Sequence, residues 1–206
     1  SEMCIRDRSA AAGTNVQTYT FNQSTAQKWT LLETEKTLYS IMGKTNVSVS
    51  QMVKFYKNKA TVSYPYSNVS EAPTIEKFCQ IYKEESEVEG VKAEVAFAQA
   101  MMETGFLKFG GDVKKDQYNF AGIGAIGGGS SGAKFDSIRI GIRAHVQHLK
   151  AYASKEALKQ PVVDPRFQYV KRGSAEYVQW LGQKENPNGC LLYTSPRPRD
   201  GATSRM

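Results

Sequence analysis

Beyond Pro73, apolar residues recur at helical spacing along most of the chain. Ile75, Phe78, Cys79 and Tyr82 stand at i, i+3, i+4 and i+7, one face of a helix that Thr74 caps and Gly90 ends. Val95 to Met102 is apolar at every position except Gln99, which predicts a second helix buried on nearly all sides. Farther on, "GIRAHVQHLKAYAS" sets Ile142, Val146, Leu149 and Ala153 on one stripe. "SAEYVQWLG" predicts a short last helix between Ser174 and Gly182, with Tyr177, Trp180 and Leu181 on one face. Upstream, "SVSQMVKFYK" carries Met52, Val53 and Tyr56 at the same spacing, and the loop "NKATVSYPYSNVSEAP" follows it. "KFDSIRI" reads as a short β-like stretch and "VVDPRF" as a turn. The sum is a mainly helical chain with a loop-rich insertion, "FLKFGGDVKKDQYNFAGIGAIGGGSSGAKF", in its middle.

The ends break this pattern. Residues 9–45 are polar, with room for a short helix at "LLETEKTLYSIMG", and read as a linker or the tail of a lost upstream module. "SEMCIRD" back-translates to a DNA segment whose reverse complement, with one base of the Arg8 codon, encodes Cys190 to Pro196. Two termini encoded by one inverted repeat resemble translated sequencing adaptors, so residues 1–8 and 190–206 are read as scars. The domain is then expected over 46–189, truncated at its C-terminus, with its core over 72–182. Without the scars, 22 basic and 17 acidic residues remain, net +5 where the whole chain has +7. That mild excess suits an anionic polymer such as a cell wall and by itself names no partner. Cys79 is the one cysteine left, a small core residue by its stripe, so neither a disulfide framework nor a zinc spacing exists. No run approaches the roughly 18 apolar residues that span a bilayer.

Candidate chemistry centres on Glu103, in the last turn of the buried helix. Gln99 lies one turn earlier and Lys92 farther back on the same line, the helix's only polar stripe, which should face a cleft. Apolar neighbours and the negative end of the helix dipole both favour the proton-bearing carboxyl there, the form that glycosidic cleavage needs. The structural alternative is an ion pair with Lys92 or Lys108. "GIGAIG" (Gly122, Gly124, Gly127) matches a dinucleotide fingerprint literally, but it follows no strand and opens no helix, and so reads as a loop beside a cleft. His145 and His148, three apart, lack a third ligand nearby and read as packing or surface residues. Phe106, Phe109, Tyr118, Phe120 and Phe135 could stack on sugar rings or pack the loop.

"AQAMMETG", "YNFAGIGA", "GIRAHVQHLKAYAS" and "DPRF" together resemble the bacterial glucosaminidase family, endo-β-N-acetylglucosaminidases of glycoside hydrolase family seventy-three. The version is that of autolysins and prophage lysins of Gram-positive anaerobes, and the resemblance covers about residues 72–182. It implies a mainly α, lysozyme-like domain with a small β lobe beside a substrate groove. It also implies hydrolysis of the β-1,4 bond after N-acetylglucosamine in peptidoglycan. The family's catalytic acid falls on Glu103, and Asn119, Phe120 and Gly122 match the motif that shapes the groove beside it. Gln99, Phe106, Tyr118 and Phe135 complete the expected substrate-binding set. A second carboxylate carried by some members has no clear counterpart here. Asp136, the sole acid between Asp116 and Glu156, is the candidate by elimination, or it merely starts a helix or turn. A tyrosine that many members place before the Asp-Pro turn is missing from "KQPVVDPRF". The expected protein is a monomeric, secreted or wall-associated hydrolase acting on glycan strands, without cofactor, metal, nucleic acid or membrane span. A muramidase or lytic transglycosylase of similar fold is the alternative within enzymes, and a wall-binding module without catalysis lies outside them.

Overall fold

The computed structural model describes residues 4–6, 17–19, 38–125 and 131–181. The chain divides into two compact units, Ser1–Thr37 and Leu38–Met206. In the first, β1 (Cys4–Arg6) pairs antiparallel with β2 (Gln17–Tyr19), Ile5 opposite Thr18.

Among the described residues of the second unit there are four α-helices, and apolar spacing and end residues together mark their positions. In α1 (Val49–Lys59) Met52, Val53 and Tyr56 are buried, and Ser48 and Gln51 form a reciprocal capping box. The Thr74 hydroxyl caps α2 (Ile75–Glu89), and Gly90 ends it in the left-handed conformation, φ 74°. α3 (Ala93–Thr104) is the predicted apolar helix and stops at Gly105, φ 59°. Its burial is less complete than the sequence suggests, because Met102 is 66% exposed.

α4 (Ile138–Ala153) begins three residues earlier than the "GIRAHV" pattern implies, since the Ser137 hydroxyl accepts from Ile140 N–H and caps it. The β-like stretch expected at "KFDSIRI" is therefore the loop and first turn of this helix. Glu71 adds a carboxylate at the same helix N-terminus, accepting from the Ser137 hydroxyl and from Arg139 N–H at 3.2 Å each. The last predicted helix is reduced to a 3-10 turn, Val178–Leu181, and Tyr177, just before it, packs edge to face with Trp180 at 4.7 Å. Gly182, its expected stop, lies outside the described residues, as does Leu31–Thr37 of the other suggested helix.

α2 lies at the centre, against α1, α3 and α4. Phe78, Tyr82, Phe97, Ile142, Val146 and Leu149 fill the space between them. Cys79 sits in this core with no exposure. Burial pushes its thiol up to about 12, as a packing residue requires. Charges bind α2 to α4 as well. Glu89 and Lys150, both with fully buried side chains, meet at 3.0 Å, and Glu89 also accepts the Lys159 and Gln160 backbone N–H groups. Glu85 accepts from Arg139, Arg143 and Gln160. Burial pushes the Glu85 carboxyl up, but these three donors outweigh it and hold the group below its ordinary value.

Leu38–Lys44, which the sequence places in the linker, folds with this body. Ile41 is fully buried; its N–H donates to Glu176 O at 3.0 Å and its carbonyl accepts from Lys92 N–H at 2.9 Å. Isolated bridges join Ser40 to Tyr177 and Met42 to Val91. Leu38, Tyr39, Ile41 and Met42 form a short apolar run without helical or strand periodicity, and Leu38 and Tyr39 stay exposed, so the sequence could not announce that Ile41 is the buried one.

Candidate active site

Glu103 occupies the last turn of α3, half-buried, immediately before the chain reverses. Thr104 sets the reversal: its hydroxyl donates to Ala100 O at 2.7 Å and accepts from Leu107 N–H at 3.0 Å. Phe106 and Leu107 then take positive φ, 57° and 61°, and Leu107 turns back into the core. The carboxylate therefore stands where the buried helix meets a sharply bent loop.

Lys92 does not reach Glu103. As the residue before α3 it donates to the Ser40 hydroxyl at 2.8 Å, and its ammonium lies 4.1 Å from the Tyr39 ring centroid. That removes one of the two lysines considered as a structural partner. Gln99, one turn before Glu103, points its Oε1 at His145 Nε2, 3.0 Å away. Both histidines have side-chain partners: His145 bridges Gln99 and Tyr82, while His148 Nδ1 meets Asp164 Oδ2 at 2.7 Å. Among the described residues no group of three or more His, Cys, Asp or Glu could hold a metal ion.

The lobe between α3 and α4 is made of turns and one 3-10 turn (Lys115–Gln117), with no strand among its described residues. Side-chain amides take over the work of a ladder. Asn119, almost fully buried, donates to Ile123 O and Ala133 O and accepts from Ile123 N–H. Gln117 donates to Ser131 O at 2.8 Å and accepts from Lys114 N–H. Gly132, at φ 72°, lets the two sides meet; a Cβ there would lie 2.6 Å from Ile123 O. Of the loop "GIGAIGGGSSG", residues 126–130, Gly127 included, lie outside the described residues. Gly122 and Gly124, both at positive φ, lead into it.

These contacts divide the expected substrate-binding residues. Phe120 is fully buried, 5.1 Å from Phe78 centroid to centroid, and Phe135 is buried in a small cluster with Ile123 and Ala144. Asn119 is likewise spent on backbone. These three lie behind the lobe surface and shape it, and the structure does not bring them out to stack on sugar. Tyr118, Phe106, Gly122 and Gln99 are half-buried and reach the surface. Asp136 is exposed, one residue before the cap of α4, at the position its bland alternative describes.

Gly141 is a positioning residue that no sequence pattern marked. It sits in the first turn of α4, where a Cβ would fall 1.9 Å from Tyr118 O. Tyr118 itself has φ 50°, and its ring packs 5.8 Å from Tyr66. The missing side chain of Gly141 is what lets this tyrosine's backbone rest on the helix. A glycine within an amphipathic helix was the available signal.

Fold and site together define a mainly helical, lysozyme-like domain whose buried helix ends on a half-buried acid. The model of the glucosaminidase family, described as mannosyl-glycoprotein endo-beta-N-acetylglucosaminidase, matches residues 79–188, more than half of the chain. The chain belongs to this family. A curated relative from Borreliella burgdorferi, itself described as an uncharacterized protein, is 52% identical over 103 residues. The match covers 50% of this chain and 50% of the relative, so the chain spans about half the length of the curated relative it matches. No solved structure matches.

Proposed function

We propose that this domain hydrolyses the β-1,4 glycosidic bond after N-acetylglucosamine in peptidoglycan glycan strands, with Glu103 as general acid. The observation that carries the reading is the position of that carboxyl: half-buried, at the negative end of α3, inside the segment matched by the family. The Glu103 hydroxyl gives its proton to the glycosidic oxygen as the C1–O bond breaks. The sugar's own 2-acetamido oxygen attacks C1 and holds it until water opens the ring formed, returning the proton to Glu103. In this scheme Asp136 is dispensable, as its exposure and its place before the α4 cap favour. A substrate in the wall puts the site of action outside the cell membrane, secreted or wall-associated, and no helix among the described residues is long and apolar enough to cross a membrane.

Glu103→Gln tests the assignment. It keeps the shape and has no proton to give, so turnover on purified peptidoglycan falls about 10²–10⁴-fold with an unchanged circular dichroism spectrum. Wild-type turnover in a folded variant would overturn the reading. Mass spectrometry of the ends released by the wild type fixes the bond. Reducing N-acetylglucosamine supports the glucosaminidase; muramic or anhydromuramic ends identify a muramidase or lytic transglycosylase; no release leaves a wall-binding module.

A further inference from the structure

Behind Glu103 runs a line of polar groups that core packing does not require. Tyr82 on α2, with no exposure, places its hydroxyl 3.1 Å from His145 Nδ1, and His145 on α4, 1% exposed, places Nε2 3.0 Å from Gln99 Oε1 on α3. Three helices thus converge on one imidazole. Tyr82 packs edge-on to His145 at 6.0 Å and itself sits against Phe78, Phe97 and Phe120. A hydrophobic triad of the same volume would fill this space without the cost of burying three polar side chains. The polar line therefore has an effect other than filling the core.

Its chemistry gives it a direction. Burial holds the His145 imidazole far below its ordinary value, down to about 3, with the nearby His148 adding to the effect, so the ring is neutral and has one N–H. An amide oxygen only accepts, so that N–H is on Nε2 and donates to Gln99 Oε1. Nδ1 then accepts from the Tyr82 hydroxyl. The chain of donors runs one way, from Tyr82 through His145 to the carbonyl of Gln99. With its oxygen committed to His145, the donor group of the Gln99 amide is its NH2. Glu103 stands one helical turn on, the neighbouring position on the same surface of α3.

We infer that Tyr82 and His145 are positioning residues that fix the amide of Gln99 so that its NH2 donates toward the Glu103 carboxyl. The inference rests on Glu103 being the general acid. A donor beside that group stabilises the carboxylate left once the proton has passed to the leaving oxygen, and it aims the carboxyl outward. Gln99, half-buried with its oxygen committed to His145, is then part of the acid's mounting and not a contact to sugar.

Two measurements test this. Ring nitrogen shifts of His145 in the wild-type domain should show the Nε2–H tautomer, unchanged from pH 5 to pH 8. The Nδ1–H tautomer, which would reverse the chain and turn the amide the other way, overturns the inference, as does protonation near pH 6.5. Gln99→Met keeps length and removes the NH2; it should lower kcat about tenfold to a hundredfold, the range of one hydrogen bond to a charged group, with KM changed less than about threefold. Tyr82→Phe should lower kcat less, by about threefold to tenfold, and return a mixture of tautomers. Glu103→Gln serves as the reference. If it is inactive while folded Gln99→Met keeps wild-type kcat, the positioning role is wrong and the general acid stands. If Glu103→Gln is itself active, the assignment of the acid fails first. Should either core variant fail to fold, the wild-type tautomer decides.

Discussion

The α2–α4 interface and the lobe between α3 and α4 are held by opposite means. The interface has ordinary helical backbone and unusual side chains: a fully buried Glu89–Lys150 pair and a two-arginine clamp on Glu85. The lobe is tied by uncharged side-chain amides and has unusual backbone. All four non-glycine residues with positive φ among the described residues (Phe106, Leu107, Phe109 and Tyr118) lie in it. Each costs roughly 1–2 kcal/mol relative to the right-handed regions, offset by seating: Leu107 is 1% exposed, and Phe109 and Tyr118 pack on Tyr66. Strain of this kind gathers where a loop must be presented in one shape. The body is built to resist separation and the lobe to hold a contour beside Glu103.

That contrast breaks most severely at Glu89. Glu89→Ala leaves the Lys150 ammonium buried without its partner and should cost about 3–5 kcal/mol, read from urea melts. Glu89→Leu with Lys150→Met should recover much of that loss; an equal loss in the double variant would show that the backbone contacts of Glu89 matter more than the ion pair. Acid probes the same body through His145. Its folded value is held down to about 3, so between pH 6.5 and 3 the unfolded chain binds the extra proton and stability falls as pH falls. By pH 4 the loss should reach roughly 3 kcal/mol, and His145→Phe should flatten that slope in chemical melts taken across the range.

Gly141→Ala separates the two regions. Alanine favours the helix by about 1 kcal/mol, yet its Cβ would stand 1.9 Å from Tyr118 O, and overpacking of this sort costs about 1–3 kcal/mol. Helical circular dichroism should persist while amide exchange quickens around Tyr118 and activity drops at least tenfold. Unchanged exchange there would mean that the lobe does not depend on this contact. The smallest effect is expected at Asp136. With its exposed side chain ahead of the α4 cap, Asp136→Asn should lower turnover less than about threefold, whereas loss of a catalytic base costs about 100-fold or more. The larger drop would bring a second carboxylate into the mechanism.

The two regions were also unequally legible. α2 could be read almost to the residue, because Thr74, the Ile75–Tyr82 stripe and Gly90 each state a boundary in local chemistry. Glu103 stood out for the same reason, an acid closing an apolar run. The lobe could not be read this way. Its shape depends on Asn119 and Gln117 bonding backbone fourteen residues away, and on Gly141 making room for Tyr118 from another element. Aromatic residues in a glycine-rich loop left sugar stacking and loop packing equally open, and Phe120 and Phe135 are buried. The Tyr82–His145–Gln99 line was hidden too, since each member looks like an ordinary stripe residue until three helices meet.

The clasp of Tyr39–Ile41 with Glu176–Val178 sets how this unit bears mechanical load. Val178 N–H donates to Tyr39 O at 2.8 Å and Ile41 N–H to Glu176 O at 3.0 Å, with the two segments running in opposite directions. Tension applied through the chain at Leu38 and Leu181 therefore peels the pair from its Tyr39–Val178 end, one bond after another. A sheared pair would load both bonds together and resist longer. The clasp yields first, and only afterwards does force reach α3 and the carboxylate at its tip.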